Sequence, residues 1–171
     1  MTDLITKRTT YDWVLEFLSW IGIFFALIPL GRYNEIPDKA IVPVHFDFRG
    51  AIDAWGNKEY ILCYSFLAIF FFVLMFFLER NYKILNYPIK VTENNKFCLY
   101  KLGVRLVRHL KLIVVCLFSY LANMSFYMSI GSRYNGQLPI LIIISILLIT
   151  LAFFFKRTPK KAKNSKIEHL V

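Results

Sequence analysis

The chain has 171 residues, is 57% hydrophobic and 18% aromatic, and carries a formal net charge of +10. Its length suits a single domain. A basic composition is often a sign of nucleic-acid binding. Here, however, the charges flank long apolar segments, which favours anionic lipid headgroups as partners, with no nucleic-acid partner expected. The three cysteines fit no metal-binding spacing, so we interpret them as apolar packing residues.

Four apolar runs take up nearly half of the sequence, and each has about 18–19 residues, close to the roughly 20 that cross a bilayer core as a helix. They cover residues 13–30, 61–78, 112–130 and 138–155. Each run is apolar all the way round rather than along one stripe, which a soluble protein of this size could not bury. The sequence therefore predicts an all-α integral membrane protein with four transmembrane helices in one domain, residues 1–171.

The distribution of positive charge predicts the orientation of the helices. The two tails and the loop 79–111 hold 16 of the 21 lysines and arginines, whereas the loops 31–60 and 131–137 hold five. By the positive-inside rule, both termini and the loop 79–111 lie in the cytoplasm, and the loop 31–60 is extracytoplasmic. No cleavage signal follows the first run, so we expect it to be an uncleaved span. The basic tail 156–171 is too polar to fold alone.

The inner loop 79–111 has a helical second half. The segment 92–95, Thr-Glu-Asn-Asn, offers a helix N-cap. Apolar residues then recur at three- and four-residue steps, at Leu99, Leu102, Leu106 and Leu110. Basic residues are interleaved with them, at Lys101, Arg105, Arg108 and Lys111. The pattern predicts an amphipathic cytoplasmic helix that either lies on the membrane surface or continues into the third span.

Two spans carry a stripe of polar and small residues, which usually marks a contact between helices. On the first span the stripe comprises Asp12, Glu16, Ser19, Gly22, Ala26 and Pro29. On the third it comprises Cys116, Ser119, Tyr120, Asn123 and Tyr127. We expect the two stripes to face each other, with Glu16 near Arg108, because an unpaired carboxylate is costly in hydrocarbon. The alternative is that Glu16 reaches the headgroups from one turn inside the span.

The outer loop contains the sequence IPDKAIVPVHFDFRGAIDAWGNKEY at residues 36–60. Apolar residues alternate through Val42, Val44, Phe46 and Phe48, which predicts a short extended segment with one apolar face. Gly50 ends the alternation, and residues 55–57, Trp-Gly-Asn, read as a second turn. We expect the apolar face and Trp55 to cover the outer ends of the helices.

His45 and Asp47 are the chemically distinctive residues of this loop, with Asp53 nearby in sequence. They suit three roles. They can hydrogen-bond each other or the turn backbone to hold the loop, they can ligate a divalent cation, or they can belong to a surface for a peptide or lipid.

The order of residues in this loop resembles an uncharacterised bacterial membrane domain found in SdpI-type immunity proteins. The resemblance covers about residues 13–80, and the segment 86–95, NYPIKVTENN, also looks like short four-span members. The matching positions are Pro37, Pro43, His45, Phe46, Asp47, Gly50, Gly56 and Lys58. The resemblance implies a multi-pass protein of the bacterial inner membrane that protects a cell from a secreted toxin or holds a transcriptional repressor at the membrane.

The favoured function is therefore an immunity or sensor protein whose 36–60 loop binds an extracytoplasmic ligand. The residues expected to form this site are the matching loop positions of the preceding paragraph together with Trp55. Its expected partners are anionic lipids and either a secreted peptide or a cytoplasmic repressor. No nucleophile, metalloprotease or phosphate-binding motif occurs, so we expect no enzyme activity and no cofactor. The alternatives are an accessory subunit of a larger membrane complex and a metal-dependent membrane enzyme.

Overall fold

The computed structural model describes residues 7–47, 51–132 and 137–168, with side chains described as far as residue 158 and not at 137–138. Four helices and a β-hairpin make up the described chain. The helices are α1 (Thr10–Gly31), α2 (Glu59–Arg80), α3 (Lys96–Ser129) and α4 (Gln137–Glu168), and the strands are β1 (Ile41–Phe46) and β2 (Ile52–Asn57). The hairpin joins α1 to α2.

Each of the four helices contains a segment long and apolar enough to cross a membrane, with mean hydropathies between 1.6 and 2.7. Large apolar side chains point outward along them, including Phe17, Phe24 and Ile149, each at least 65% exposed. Such a surface is unfavourable in water and favourable in lipid. The prediction of four helices long and apolar enough to span a membrane is confirmed, which supports a multi-pass membrane protein.

Helix α3 is at the centre of the bundle, because α1, α2 and α4 all pack against it. The predicted stripe of α1, from Asp12 to Pro29, is buried. Gly22 lets α1 and α3 approach closely: a Cβ added there would lie 2.8 Å from Cγ1 of the buried Val115. A small residue at the contact therefore sets the spacing of the two helices.

Pro29 lies in the last turn of α1 and has no N–H, so it leaves the carbonyl of Phe25 without its helical donor. Asn123 of α3 supplies the missing bond, since its Nδ2 donates to that carbonyl at 2.8 Å. The same amide donates to the Ser119 carbonyl at 2.8 Å. An unpaired backbone carbonyl is costly inside a membrane, so Asn123 makes Pro29 tolerable there.

The extended segment of the outer loop belongs to an antiparallel hairpin, so the all-α prediction is wrong for this loop. The register pairs Ile41 with Asn57 and Pro43 with Trp55, with irregularities on either side of His45. The predicted turn at 55–57 is also wrong, because those residues belong to β2. Gly56 is needed for close approach rather than for a turn: a Cβ there would lie 2.7 Å from both Tyr60 and Val44.

Helix α3 runs without interruption from Lys96 to Ser129, so the amphipathic segment and the third span form one helix. Asn95 precedes it but makes no side-chain cap bond. Its Oδ1 accepts instead from the Thr92 N–H, and its Nδ2 donates to the Lys90 carbonyl. Asn95 thus fixes the turn before the helix.

Helix α4 continues to Glu168, so the basic tail, which was not expected to fold alone, is helical as an extension of the fourth span. The tail adds turns to a helix that the apolar segment already nucleates, and adding a turn costs far less than starting one. The predicted turn 131–137 lies mostly outside the described residues.

We expect Asn123→Leu to lower the free energy of unfolding by about 1 kcal/mol, because it leaves the Phe25 carbonyl unpaired. In a Pro29→Ala background the new N–H can satisfy that carbonyl, so the same change should cost clearly less. Thermal unfolding of the four proteins in detergent measures this coupling. Equal costs in the two backgrounds would contradict the assigned role of Asn123.

Candidate functional site

The bundle has two chemically different ends. At one end of the bundle, α1 begins, α2 ends and Arg108 of α3 is found; we call this the basic end. At the other end, α1 ends, α2 begins and the hairpin contacts α3; we call this the hairpin end.

Six charged side chains from α1, its preceding residues, α2 and α3 form an ion network at the basic end. Its members are Arg8, Asp12, Glu16, Glu79, Arg108 and Lys111. Arg108 bridges two helices, since its NH1 lies 3.0 Å from Asp12 Oδ2 and its NH2 lies 2.8 Å from Glu79 Oε1. Lys111 Nζ lies 2.5 Å from Glu16 Oε2, and Arg8 lies 3.0 Å from the same oxygen.

Three carboxylates and three cations make the ion network neutral overall. All but Arg8 are at most 6% exposed, and the Arg8 side chain is 19% exposed. Removing ions from water is costly, and mutual attraction offsets the cost only when every charge has a partner. The network therefore ties α1, α2 and α3 together at one place along their length.

Local sequence positions each carboxylate. Asp12 belongs to a capping box, in which its Oδ2 accepts from the Thr9 N–H at 2.8 Å while Thr9 Oγ1 accepts from the Asp12 N–H. Glu16 follows one turn later on the same face. Arg108 and Lys111 are three residues apart on α3, so they face the same side and meet both acidic helices.

The structure brings together part of the predicted polar contact. Ser19 and Glu16 are buried on α1, and Ser19 Oγ donates to the Leu15 carbonyl at 2.8 Å. Glu16 is paired with Lys111 and Arg8, while Arg108 is paired with Asp12 and Glu79, so direct pairing of Glu16 with Arg108 stays a prediction.

Sequence reasoning missed Glu79 and Lys111 as members of this site. In the sequence, Glu79 directly follows the second apolar run, 61–78, and Lys111 is one of the basic series of the inner loop. A signal was present: an acidic residue next to Arg80 at the basic end needs a buried cation if it faces inward. Only the packing shows that Glu79 does so.

At the hairpin end, His45 pairs with Asp53 across the two strands, with Nδ1 2.5 Å from Oδ1. Asp47 holds the turn: its Oδ1 accepts from the Ala51 N–H and its own N–H donates to the Ala51 carbonyl, both at 2.8 Å. The hairpin is thus closed by two side chains that the sequence singled out. Gly50 lies outside the described residues.

The hairpin packs on the ends of α2 and α3. Val42 is fully buried in a cluster with Ile36, Ile61 and Phe126. Tyr64 of α2 donates from its hydroxyl to the Pro43 carbonyl at 3.1 Å. Pro43 and Val42 are therefore anchoring residues, whereas Phe46 is only half-buried.

Lys58 supports the segment that leads into the hairpin. Its Nζ lies 2.7 Å from Asp38 Oδ1 and 5.2 Å from the centre of the Tyr33 ring. This hydrogen bond lowers the pKa of Asp38 and raises that of Lys58. With its folded pKa below the unfolded one, Asp38 contributes stability at neutral pH that is lost as the pH falls through the folded value. Asp38 is almost fully exposed, so the contribution is small.

The outward side of the hairpin is open. Trp55 is 51% exposed and Ile41 is 62% exposed, and the His45–Asp53 pair on the same two strands is exposed as well. Within the described residues, no group of three or more His, Cys, Asp or Glu side chains is placed to hold a metal ion. Metal binding at His45 stays a hypothesis, and metal analysis of the purified protein would test it.

Comparison with known proteins gives no match to any protein-family model, curated protein or solved structure. The resemblance seen in the outer loop is therefore carried by its residues alone.

We expect Glu79→Gln to lower the free energy of unfolding by about 3 kcal/mol or more, because it leaves the buried ion network with three cations and only two carboxylates. Glu59→Gln is the matched control: the same change on the exposed first turn of α2 should alter stability by no more than about 0.5 kcal/mol. Thermal unfolding in detergent measures both.

Adding Arg108→Gln to Glu79→Gln removes the excess charge. The double variant should lose less stability than the two single changes predict when added. Strict additivity would show that these charges do not interact.

Proposed function

We propose that this chain is a sensor or immunity protein of the bacterial inner membrane, with both termini in the cytoplasm. Its hairpin recognises an extracytoplasmic ligand, and its bundle transmits that event to the basic end. The observation that carries the proposal is the way the hairpin is built. It presents an open outer surface while its inner side is fastened to α2 and α3.

The outer surface of the hairpin has the composition of a recognition site. Trp55 offers a large aromatic surface, and beside it lie a half-exposed carboxylate, Asp53, and an exposed imidazole, His45. Aromatic residues next to a few polar groups supply most of the binding energy in protein interfaces. A secreted peptide with an apolar segment suits this surface, which agrees with the resemblance to immunity proteins.

A rigid element links the hairpin to the ion network. Phe126 lies under the hairpin, and Arg108 lies 18 residues earlier in the same helix. At 1.5 Å per residue the two are about 27 Å apart, close to the thickness of the bilayer core. A displacement of α3 at the hairpin end therefore reaches the ion network directly.

The mechanism follows from this link. A ligand that binds one arrangement of the hairpin more tightly shifts the population of helix arrangements toward it. Arg108 and Lys111 move with α3, whereas Asp12 and Glu16 belong to α1, so a shift of α3 changes the contacts between them. At the basic end such a change would alter how a cytoplasmic partner, such as a repressor, is held.

The proposal predicts protection that depends on Trp55. Sensitive bacterial cells that express this chain should survive a toxic peptide secreted by another strain, and Trp55→Ala should reduce survival at least ten-fold. Trp20→Ala is the control, because Trp20 is equally exposed, at 56%, but lies within α1. Two results would count against the proposal. In one, expression of the chain does not change survival with any secreted peptide tested; in the other, Trp20→Ala reduces survival as much as Trp55→Ala does.

The second candidate function is an accessory subunit of a larger membrane complex, and α4 favours it. Only 11% of the α4 apolar segment is buried, against 39% for α1, and among the described helices α4 packs chiefly on α3. Its outer face, with Leu148 and Ile149, is free for lipid or for a partner helix.

Photo-cross-linking in native membranes separates this function from the first. A cross-linking residue at Ile149 should capture one defined larger protein if the chain is an accessory subunit. The same residue at Phe24, which is 65% exposed on α1, is the control and should capture none. Lipid adducts alone at both positions would contradict the accessory role.

A further inference from the structure

A cavity of about 520 Å³ opens at the basic end between the start of α1 and the first turns of α3. Five of its lining residues are basic: Lys7, Arg8, Lys101, Arg105 and Arg108. Phe97, 40% exposed, supplies an apolar wall, and Lys101 Nζ lies 6.0 Å from the centre of its ring. We call this cavity the basic pocket.

Among the described residues, no carboxylate neutralises the excess positive charge of the basic pocket. Arg8 and Arg108 belong to the neutral ion network, so they leave no excess. Lys7 and Lys101 have no carboxylate within ion-pair distance among the described residues, and Arg105 approaches Asp12 only at 3.9 Å. Three positive charges therefore remain beside a cavity, which is the arrangement that recruits an anion.

The depth of the pocket indicates the source of the anion. Trp13 is 58% exposed and Tyr11 is 52% exposed on the first turn of α1, and the Arg8 guanidinium lies 4.9 Å from the Trp13 ring. Exposed Trp and Tyr at the end of a span lie at the level of the lipid headgroups. The pocket is thus placed where lipid phosphates are concentrated, and arginine matches their geometry.

We propose that the basic pocket binds the phosphodiester headgroup of an anionic phospholipid, with Lys7, Lys101 and Arg105 contacting the phosphate. Basic pockets between spans bind such headgroups in general. The acyl chains would extend from the pocket into the bilayer core along the apolar sides of α1 and α3. This inference concerns the basic end alone and holds whichever ligand the hairpin recognises.

The test uses the full chain in phosphatidylcholine vesicles, with Trp20→Phe and Trp55→Phe so that Trp13 reports on the pocket. Brominated phosphatidylglycerol is added at increasing mole fraction. If the pocket binds the lipid, quenching of Trp13 fluorescence should saturate at a low mole fraction of brominated lipid. If the lipid is only in the surrounding bilayer, quenching should rise in proportion to its mole fraction. Proportional quenching would overturn the proposal.

Two charge-matched pairs of substitutions separate the pocket from general surface charge. Lys101→Gln with Arg105→Gln should weaken phosphatidylglycerol binding about 25-fold, since each charge contributes about a factor of five near a membrane surface. Lys83→Gln with Lys90→Gln removes the same charge from exposed positions between α2 and α3, and should leave binding unchanged. Equal weakening by both pairs would overturn the proposal.

Two controls complete the experiment. Both pairs should keep the wild-type unfolding temperature in phosphatidylcholine, because three of the four side chains make no ion pair with the network and Arg105 approaches Asp12 only at 3.9 Å. Soluble glycerol phosphate is added in competition with phosphatidylglycerol. Displacement of the lipid at millimolar concentration or below would show that a free phosphate compound is the ligand and would overturn the lipid proposal.

Discussion

The core of a bilayer contains no water, so any polar group that enters it must find its partner within the protein. In this chain the constraint acts through α3. Its Asn123 satisfies the carbonyl that Pro29 leaves unpaired, and its Arg108 and Lys111 satisfy the carboxylates of α1 and α2. Helix α3 thus holds the bundle together with polar bonds as well as packing, and it contacts each of the other three long helices.

The same helix connects two sites of opposite character. At the hairpin end, apolar burial around Val42 and Phe126 fastens a small sheet to the bundle while leaving Trp55 outside. At the basic end, paired charges fasten three helices. Apolar packing tolerates small displacements, whereas ion pairs in a low dielectric depend steeply on distance. A displacement of α3 would therefore have its main energetic consequence at the ion network, where the proposed function requires one.

The basic residues at the basic end have two different roles, which the amino-acid composition cannot distinguish. Arg108 and Lys111 are buried against carboxylates and stabilise the fold. Lys101 and Arg105 lie on the same helix, one or two turns earlier, where solvent and headgroups are accessible. A buried charge must be neutralised by the protein, but a charge at the interface can be neutralised by lipid. Depth along α3 determines which residues hold the helices and which are available to bind an anion.

The sequence by itself determined the four spanning helices, because continuous apolar runs of this length have one stable environment. It also determined the polar stripe of α1, since periodicity and residue type are local properties, and it singled out His45 and Asp47, whose side chains make hydrogen bonds in the hairpin. It failed at Gly56, which looked like a turn residue and lies in a strand, and at Glu79, which follows the second apolar run and is buried. Only the tertiary structure decided that Glu79 meets Arg108 and that His45 meets Asp53. Such pairs join residues far apart in the chain or across a bulged register, and their distance depends on packing that no local pattern encodes.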